Sequence, residues 1–146
     1  MIIRFCLICI FLCGVSLIKA QLSSPSLFEI ATQKELKKDF ESAAIIYERI
    51  IFDATDDSVI FKAVIGKVNC YKQKGDFVSA YNYLQKNSNI FFSDTLKCKI
   101  YEQWILCAYL TNKLEQCISL IEQARVYFPN LVNDNRLSFF KILSLN

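Results

Sequence analysis

Histidine is absent from this chain of 146 residues. Its absence excludes catalytic triads and metal sites that depend on an imidazole side chain. Glycine occurs only three times, at Gly14, Gly66 and Gly75, so no glycine-rich loop is available to bind phosphate. Asp56 and Asp57 are adjacent carboxylates, but they suit a solvated link with a helix cap better than acid–base chemistry or a metal. We therefore predict no enzymatic activity, no cofactor, no metal and no small-molecule substrate.

A basic excess of the kind that nucleic acid requires is also missing. The chain has 17 basic and 14 acidic residues, and two of the basic ones, Arg4 and Lys19, lie in the first 20 residues. A protein that neutralises many phosphates needs a clustered positive charge. Nucleic acid is therefore not expected as a partner.

The first 20 residues resemble an export signal. Arg4 precedes a charge-free run of 14 residues, Phe5–Ile18, and Lys19-Ala20 closes it. The run is short for a bilayer span but suits the apolar region of a secretory signal peptide. We predict a signal peptide over residues 1–20, cleavage after Ala20, and a periplasmic or secreted protein. Membrane association is expected only if the signal is uncleaved or Cys13 is lipidated.

Cysteine is sparse after the predicted signal, where four of the seven residues remain: Cys70, Cys98, Cys107 and Cys117. An even number in an exported chain permits disulfides. Buried thiols in a helical core are the favoured alternative, because Cys70 and Cys107 stand at the same place in successive repeats. The spacing of these cysteines does not suggest a CxxC zinc or redox motif.

The chain does contain a sequence motif that occurs three times. Lys37–Tyr47, Lys74–Leu84 and Thr111–Ile121 are in register at a spacing of 37 residues, and the first two copies share five of eleven residues. A fixed period in this range is typical of repeat architectures, in which each unit buries its apolar face on the next.

Helical periodicity accounts for nearly all of the chain after the signal. We predict an all-α solenoid of three helical hairpins, at about residues 26–52, 57–88 and 94–129, followed by a capping helix at 133–145. Ser26 with Glu29 forms a predicted capping box for the first helix. The other expected helix caps are Asp39, Asp57, Asp76 and Asn112, and Gly75 is expected to be left-handed at a helix end.

The repeats resemble the tetratricopeptide repeat (TPR) family. The resemblance rests on the segment Gly75–Leu84, on Phe40, Ala43 and Tyr47 in the first copy, and in the third copy on Trp104, Leu114, Cys117, Ile121, Ala124 and Pro129. It departs from the family in its period of 37 and in larger residues, Val68 and Ile105, where a small one is expected in the first helix. The resemblance implies that small residues lie where paired helices cross.

The same resemblance implies a concave groove lined by the first helix of each hairpin. Its candidate partner-binding residues are Phe28, Glu35, Lys62, Asn69, Lys72, Gln73, Lys99, Glu102 and Tyr109. We predict an exported, non-enzymatic adaptor or scaffold that binds a protein or peptide segment there. The alternative is a structural subunit of a larger envelope complex, or a helical repeat protein that associates with itself.

Overall fold

The structure is a computed structural model that describes residues 24–91, 93–132 and 134–145. Over these residues it has seven α-helices and no strand, which confirms the all-α prediction. The helices are α1 (Ser24–Leu36), α2 (Phe40–Asp53), α3 (Asp57–Gln73), α4 (Phe77–Asn87), α5 (Asp94–Leu110), α6 (Leu114–Tyr127) and α7 (Asp134–Leu145). The predicted signal peptide, with Cys13, lies outside the described residues.

The 37-residue period is visible in the backbone as one helix-ending motif made three times. Lys38, Gly75 and Asn112 have φ values of 58°, 74° and 57°, in the left-handed region. Each residue that follows donates its backbone N–H to a carbonyl five residues earlier: Asp39 to Lys34, Asp76 to Tyr71 and Lys113 to Ala108, all at 2.9 Å. This is the Schellman arrangement, and it turns the chain between the helices of each hairpin.

Aspartate side chains begin three of the helices. Asp39 accepts from Ser42 N–H at 3.2 Å, and Asp76 accepts from Ser79 N–H at 3.0 Å, so both predicted caps are confirmed. For α3 the predicted cap was wrong by one residue. Asp56 accepts from the N–H groups of Ser58 and Val59, and Asp57 already lies inside the first turn.

Two further predicted helix starts were also wrong. Asn112 is not the cap of α6, because it occupies the left-handed position and Lys113 is the cap residue. Lys113 instead extends its ammonium over the ring of Tyr81, 3.9 Å from the centroid. The first helix starts at Ser24, ahead of the Ser26–Glu29 capping box.

Each helix packs on the next one along the chain, and α1 also contacts α3 while α5 contacts α7. This order is compatible with hairpins stacked in a row. Ala43, Ala80 and Cys117, the in-register small residues of the repeats, are fully buried. Small side chains at these positions let the paired helices approach closely.

The described core consists of two apolar clusters. The first joins α1, α2 and α3 through Ala31, Ala43, Tyr47, Ile50, Ala63 and Cys70. The second joins α3 to α7 through buried residues that include Val64, Val68, Leu84, Trp104, Ile121 and Leu137. Since α3 contributes to both clusters, it is the element on which the two halves of the molecule meet.

Candidate functional site

The nine residues predicted for the first-helix groove lie on α1, α3 and α5. Lys62, Gln73 and Lys99 are exposed, and the other six are half-buried. The structure brings α3 and α5 together at this surface, where Lys72 Nζ donates to Gln103 Oε1 at 3.2 Å. The Lys99 ammonium lies 5.9 Å from the ring centroid of Phe61. Side chains of the two successive first helices α3 and α5 are therefore in contact at this surface.

Several residues of the predicted groove make contacts with other side chains of the same chain. Glu35 accepts a hydrogen bond from the Tyr47 hydroxyl, and the rings of Phe28 and Tyr47 are 6.0 Å apart. Tyr109 packs against Phe140 of α7 with ring centroids 5.7 Å apart. Tyr109 therefore has a packing role, because the last helix covers that end of α5.

A different surface, between α2 and α3, has the stronger apolar character. We call it the α2–α3 groove. It has a volume of about 580 Å³ and is lined by Ala44, Ile45, Glu48, Arg49, Ile51, Phe52, Lys67 and Tyr71. Ile45 is 72% exposed and Phe52 is 85% exposed. Two large apolar side chains therefore project into solvent from one helix.

A smaller hollow continues this groove towards the N-terminal end of α2. It has a volume of about 330 Å³ and is lined by Phe40, Glu41, Ala44, Ile45, Cys70, Tyr71 and Lys74. Ala44, Ile45 and Tyr71 border both cavities. The apolar surface therefore runs along most of the length of α2.

Ion pairs form the rim of the groove. Lys67 Nζ lies 2.6 Å from Glu48 Oε2, and Lys74 Nζ lies 2.7 Å from Glu41 Oε1, so two pairs join α2 to α3. The hydrogen bond to Glu41 raises the pKa of Lys74. Lys67 is also 4.5 Å from the ring centroid of Tyr83 on α4. These contacts position the long side chains on either side of the apolar centre.

A third cleft, of about 630 Å³, lies between α4, α5 and α6 and has a more polar lining, which includes Gln85, Asn89, Lys97, Trp104 and Gln123. The indole Nε1–H of Trp104 is buried without a hydrogen-bond partner among the described residues. Tyr101 and Tyr81 flank the indole with ring centroids at 5.6 and 6.0 Å. Trp104 is therefore a core residue.

The cysteines are placed for packing. Cys70, Cys98, Cys107 and Cys117 are all buried thiols outside any disulfide between described residues. Burial raises the pKa of both Cys70 and Cys107 to about 11. Because the thiolate is the reactive form, these residues are protonated and unreactive at neutral pH.

None of the protein-family models, curated proteins and solved structures compared with this chain matches it. The likeness to TPR proteins therefore stays a prediction made from the residues.

Two further findings concern metal binding and membrane insertion of the described residues. No group of three or more Cys, Asp or Glu residues in that part of the chain is arranged to hold a metal ion. No described helix is both long enough and apolar enough to cross a bilayer.

The α2–α3 groove was missed at the sequence level. One buried stripe of α2 accounts for Phe40, Ala43, Ala44, Tyr47, Ile50 and Ile51, and it leaves Ile45 and Phe52 outside it. That surplus was the available signal, because a helix with more large apolar residues than one buried stripe accommodates must expose some of them. Gly66, which packs beneath Tyr47, was also missed, although an isolated glycine within a helix often marks a close approach.

Proposed function

We propose that this chain is a non-enzymatic protein-interaction module and that the α2–α3 groove is its main docking surface. The observation that carries the proposal is the continuous apolar surface along α2, in which Ile45 and Phe52 are 72% and 85% exposed. Contiguous apolar patches on soluble proteins usually mark interaction sites. An apolar centre with a charged rim, here Glu41–Lys74 and Glu48–Lys67, is the usual composition of a protein interface.

The first-helix groove is a second candidate for the docking surface. It is favoured by the positive charge of Lys62 and Lys99, which are exposed on successive first helices. An extended or helical segment with acidic side chains would suit that charge. The TPR likeness supports the same groove, and membership of that family is part of this second proposal.

Export is also proposed, on the strength of residues 1–20 alone. Protein recovered from an exporting host should begin at Gln21 or within a few residues, as intact mass would measure. A membrane-bound form that still carries Met1 would instead favour the uncleaved anchor, and a lipid-modified Cys13 would favour the lipoprotein.

The proposed docking surface can be tested by site-directed photocrosslinking in the producing cell. A photoreactive amino acid is placed singly at Ile45, at Lys62 for the second candidate, and at Lys86, an exposed residue of α4, as the control. We expect a discrete protein adduct from position 45 and none from position 86. Adducts from position 62 alone would show that the first-helix groove is the docking surface. The absence of an adduct from both surfaces would contradict the proposed function.

A further inference from the structure

We propose that a second copy of this chain occupies the α2–α3 groove, through an antiparallel contact between the α2 helices of the two copies. The inference rests on the proposed function, because it names the partner of the same surface. It is carried by the order of charge along α2 and by the shape of the apolar surface on either side of Ile45.

The exposed face of α2 has an acidic, an apolar and a basic residue at steps of four: Glu41, Ile45 and Arg49. Residues four apart lie on the same face of a helix. If two α2 helices cross in antiparallel fashion at Ile45, Glu41 of each copy faces Arg49 of the other. The side chains of Glu41 and Arg49 are 79% and 61% exposed, so both are accessible to a second copy.

The neighbouring charges reinforce this pairing. Glu41 already pairs with Lys74, and Arg49 pairs with Asp53 at 2.5 Å. Four charged side chains would then follow one another across the contact with alternating sign. They are Lys74 and Glu41 of one copy, followed by Arg49 and Asp53 of the second copy. A parallel arrangement would place Glu41 against Glu41, and like charges at an interface disfavour the wrong orientation. The charges therefore specify the antiparallel orientation.

Shape leads to the same arrangement. Phe52 lies seven residues beyond Ile45, which is about 10 Å along a helix axis. The smaller hollow, with Phe40, Ala44 and Tyr71 in its lining, lies on the N-terminal side of Ile45. An antiparallel copy therefore directs its Phe52 towards this hollow, and the reciprocal contact occurs at the other end. One surface that carries both the projecting ring and the hollow is self-complementary, as a twofold interface requires.

The association can be measured by sedimentation velocity on the purified chain over a wide concentration range. We expect a reversible dimer. Glu41→Arg and Arg49→Glu should each raise its dissociation constant about tenfold or more, because each creates a like-charge pair twice in the dimer. The combined variant with both substitutions restores opposite charges across the contact and should dimerise more tightly than either single variant. Glu29→Arg, on the exposed surface of α1, is the matched control and should change nothing.

A second measurement tests the geometry independently of the charges. Residues at the crossing point of a twofold contact lie close to their own copies, so Ile45→Cys should form an intermolecular disulfide that joins position 45 to position 45. Val78→Cys, which replaces an exposed residue on α4, is the control. Peptide mass spectrometry identifies the linkage, and thermal melts confirm that each variant is folded.

The outcomes separate this inference from the proposed function. Suppose that the chain stays monomeric at every concentration and that position 45 crosslinks to a different protein. This result would contradict dimerisation and would still support the α2–α3 groove as a docking surface. A dimer that neither charge reversal weakens, or that lacks the 45–45 disulfide, overturns the antiparallel α2 contact. If position 45 crosslinks to nothing, both proposals fail.

Discussion

At the scale of single residues, the three left-handed positions show how one backbone requirement is met by three different amino acids. Gly75 adopts a φ of 74° without a steric penalty, since it has no Cβ atom. Asn112 tolerates the same region because its short amide can bond locally. Lys38 has neither advantage, yet the repeat imposes a φ of 58° on it. The first turn is therefore the least favourable of the three.

This difference predicts opposite effects for two exchanges. Lys38→Gly should raise the free energy of unfolding by about 1 kcal/mol, and Gly75→Ala should lower it by about 1 kcal/mol, because a Cβ atom is disfavoured at positive φ. Urea denaturation would measure both. Lys37→Gly, one residue earlier, is the control and should not stabilise the protein. A Lys38→Gly variant no more stable than the parent would contradict the proposed cost of that turn.

Two capping carboxylates are expected to make the stability of the protein depend on pH. Hydrogen bonding from Ser42, together with the nearby Lys34 ammonium, lowers the pKa of Asp39 below its ordinary value of 3.8. Ser79 does the same for Asp76. A carboxyl group whose folded pKa is lowered contributes its stability above the unfolded pKa and loses it as the pH falls through the folded pKa.

The melting temperature should therefore decline as the pH is lowered below about 4. Asparagine is a good helix cap that does not titrate in this range, but it lacks the charge that pairs with Lys34. The variant with Asp39→Asn and Asp76→Asn should therefore melt slightly below the parent at neutral pH and decline less in acid. Glu29→Gln is the control. An acid profile identical in the capping variant and the parent would show that other groups are responsible.

At the scale of the elements, the contact between α2 and α3 depends on a missing side chain. A Cβ atom added to Gly66 would lie 2.5 Å from Cζ of Tyr47, inside van der Waals contact. Tyr47 cannot easily withdraw, because its hydroxyl donates to Glu35 and its ring packs on Phe28. Gly66 therefore allows α3 to approach the aromatic ring of α2.

Gly66→Ala should destabilise the protein by about 1–3 kcal/mol through overpacking, although alanine has a better helix propensity by about 1 kcal/mol. In a background with Tyr47→Ala, which removes the ring, the same exchange should become neutral or stabilising. The check is a double-mutant cycle by urea denaturation. Additive effects of the two substitutions would show that the ring and the glycine are not in contact.

Features of the helices that depend on local sequence could be predicted, and features that depend on long-range packing could not. The helices and the caps Asp39 and Asp76 could be predicted, because each depends on residues a few positions apart. The 37-residue repeat could be predicted because its copies resemble each other directly in the sequence. Asp56 and Asp57 are equivalent by composition, and only the backbone geometry decides which one caps α3. Asn112 was assigned to a cap because asparagine suits both a cap and a left-handed residue.

The docking surface was harder to predict than the helices. Which of the six isoleucine and phenylalanine residues of α2 face solvent depends on how α1 and α3 approach that helix, and this is set by long-range packing. The first-helix groove was inferred from a family resemblance. That resemblance did not predict the packing of α7 against Tyr109. Pairing between elements distant in the chain was the missing information.

At the scale of the whole molecule, the position of α3 has a consequence for the order in which the protein opens. Its residues Ala63 and Cys70 belong to the first core cluster, while Val64 and Val68 belong to the second. The amide protons of α3 can therefore be exposed only when both clusters have come apart, whereas α1 and α7 can detach at a lower free energy. In native-state hydrogen exchange, we expect the α3 amides to be the slowest, with a free energy equal to that of global unfolding. Faster exchange in α3 than in α1 or α7 would mean that the two halves separate before either one melts.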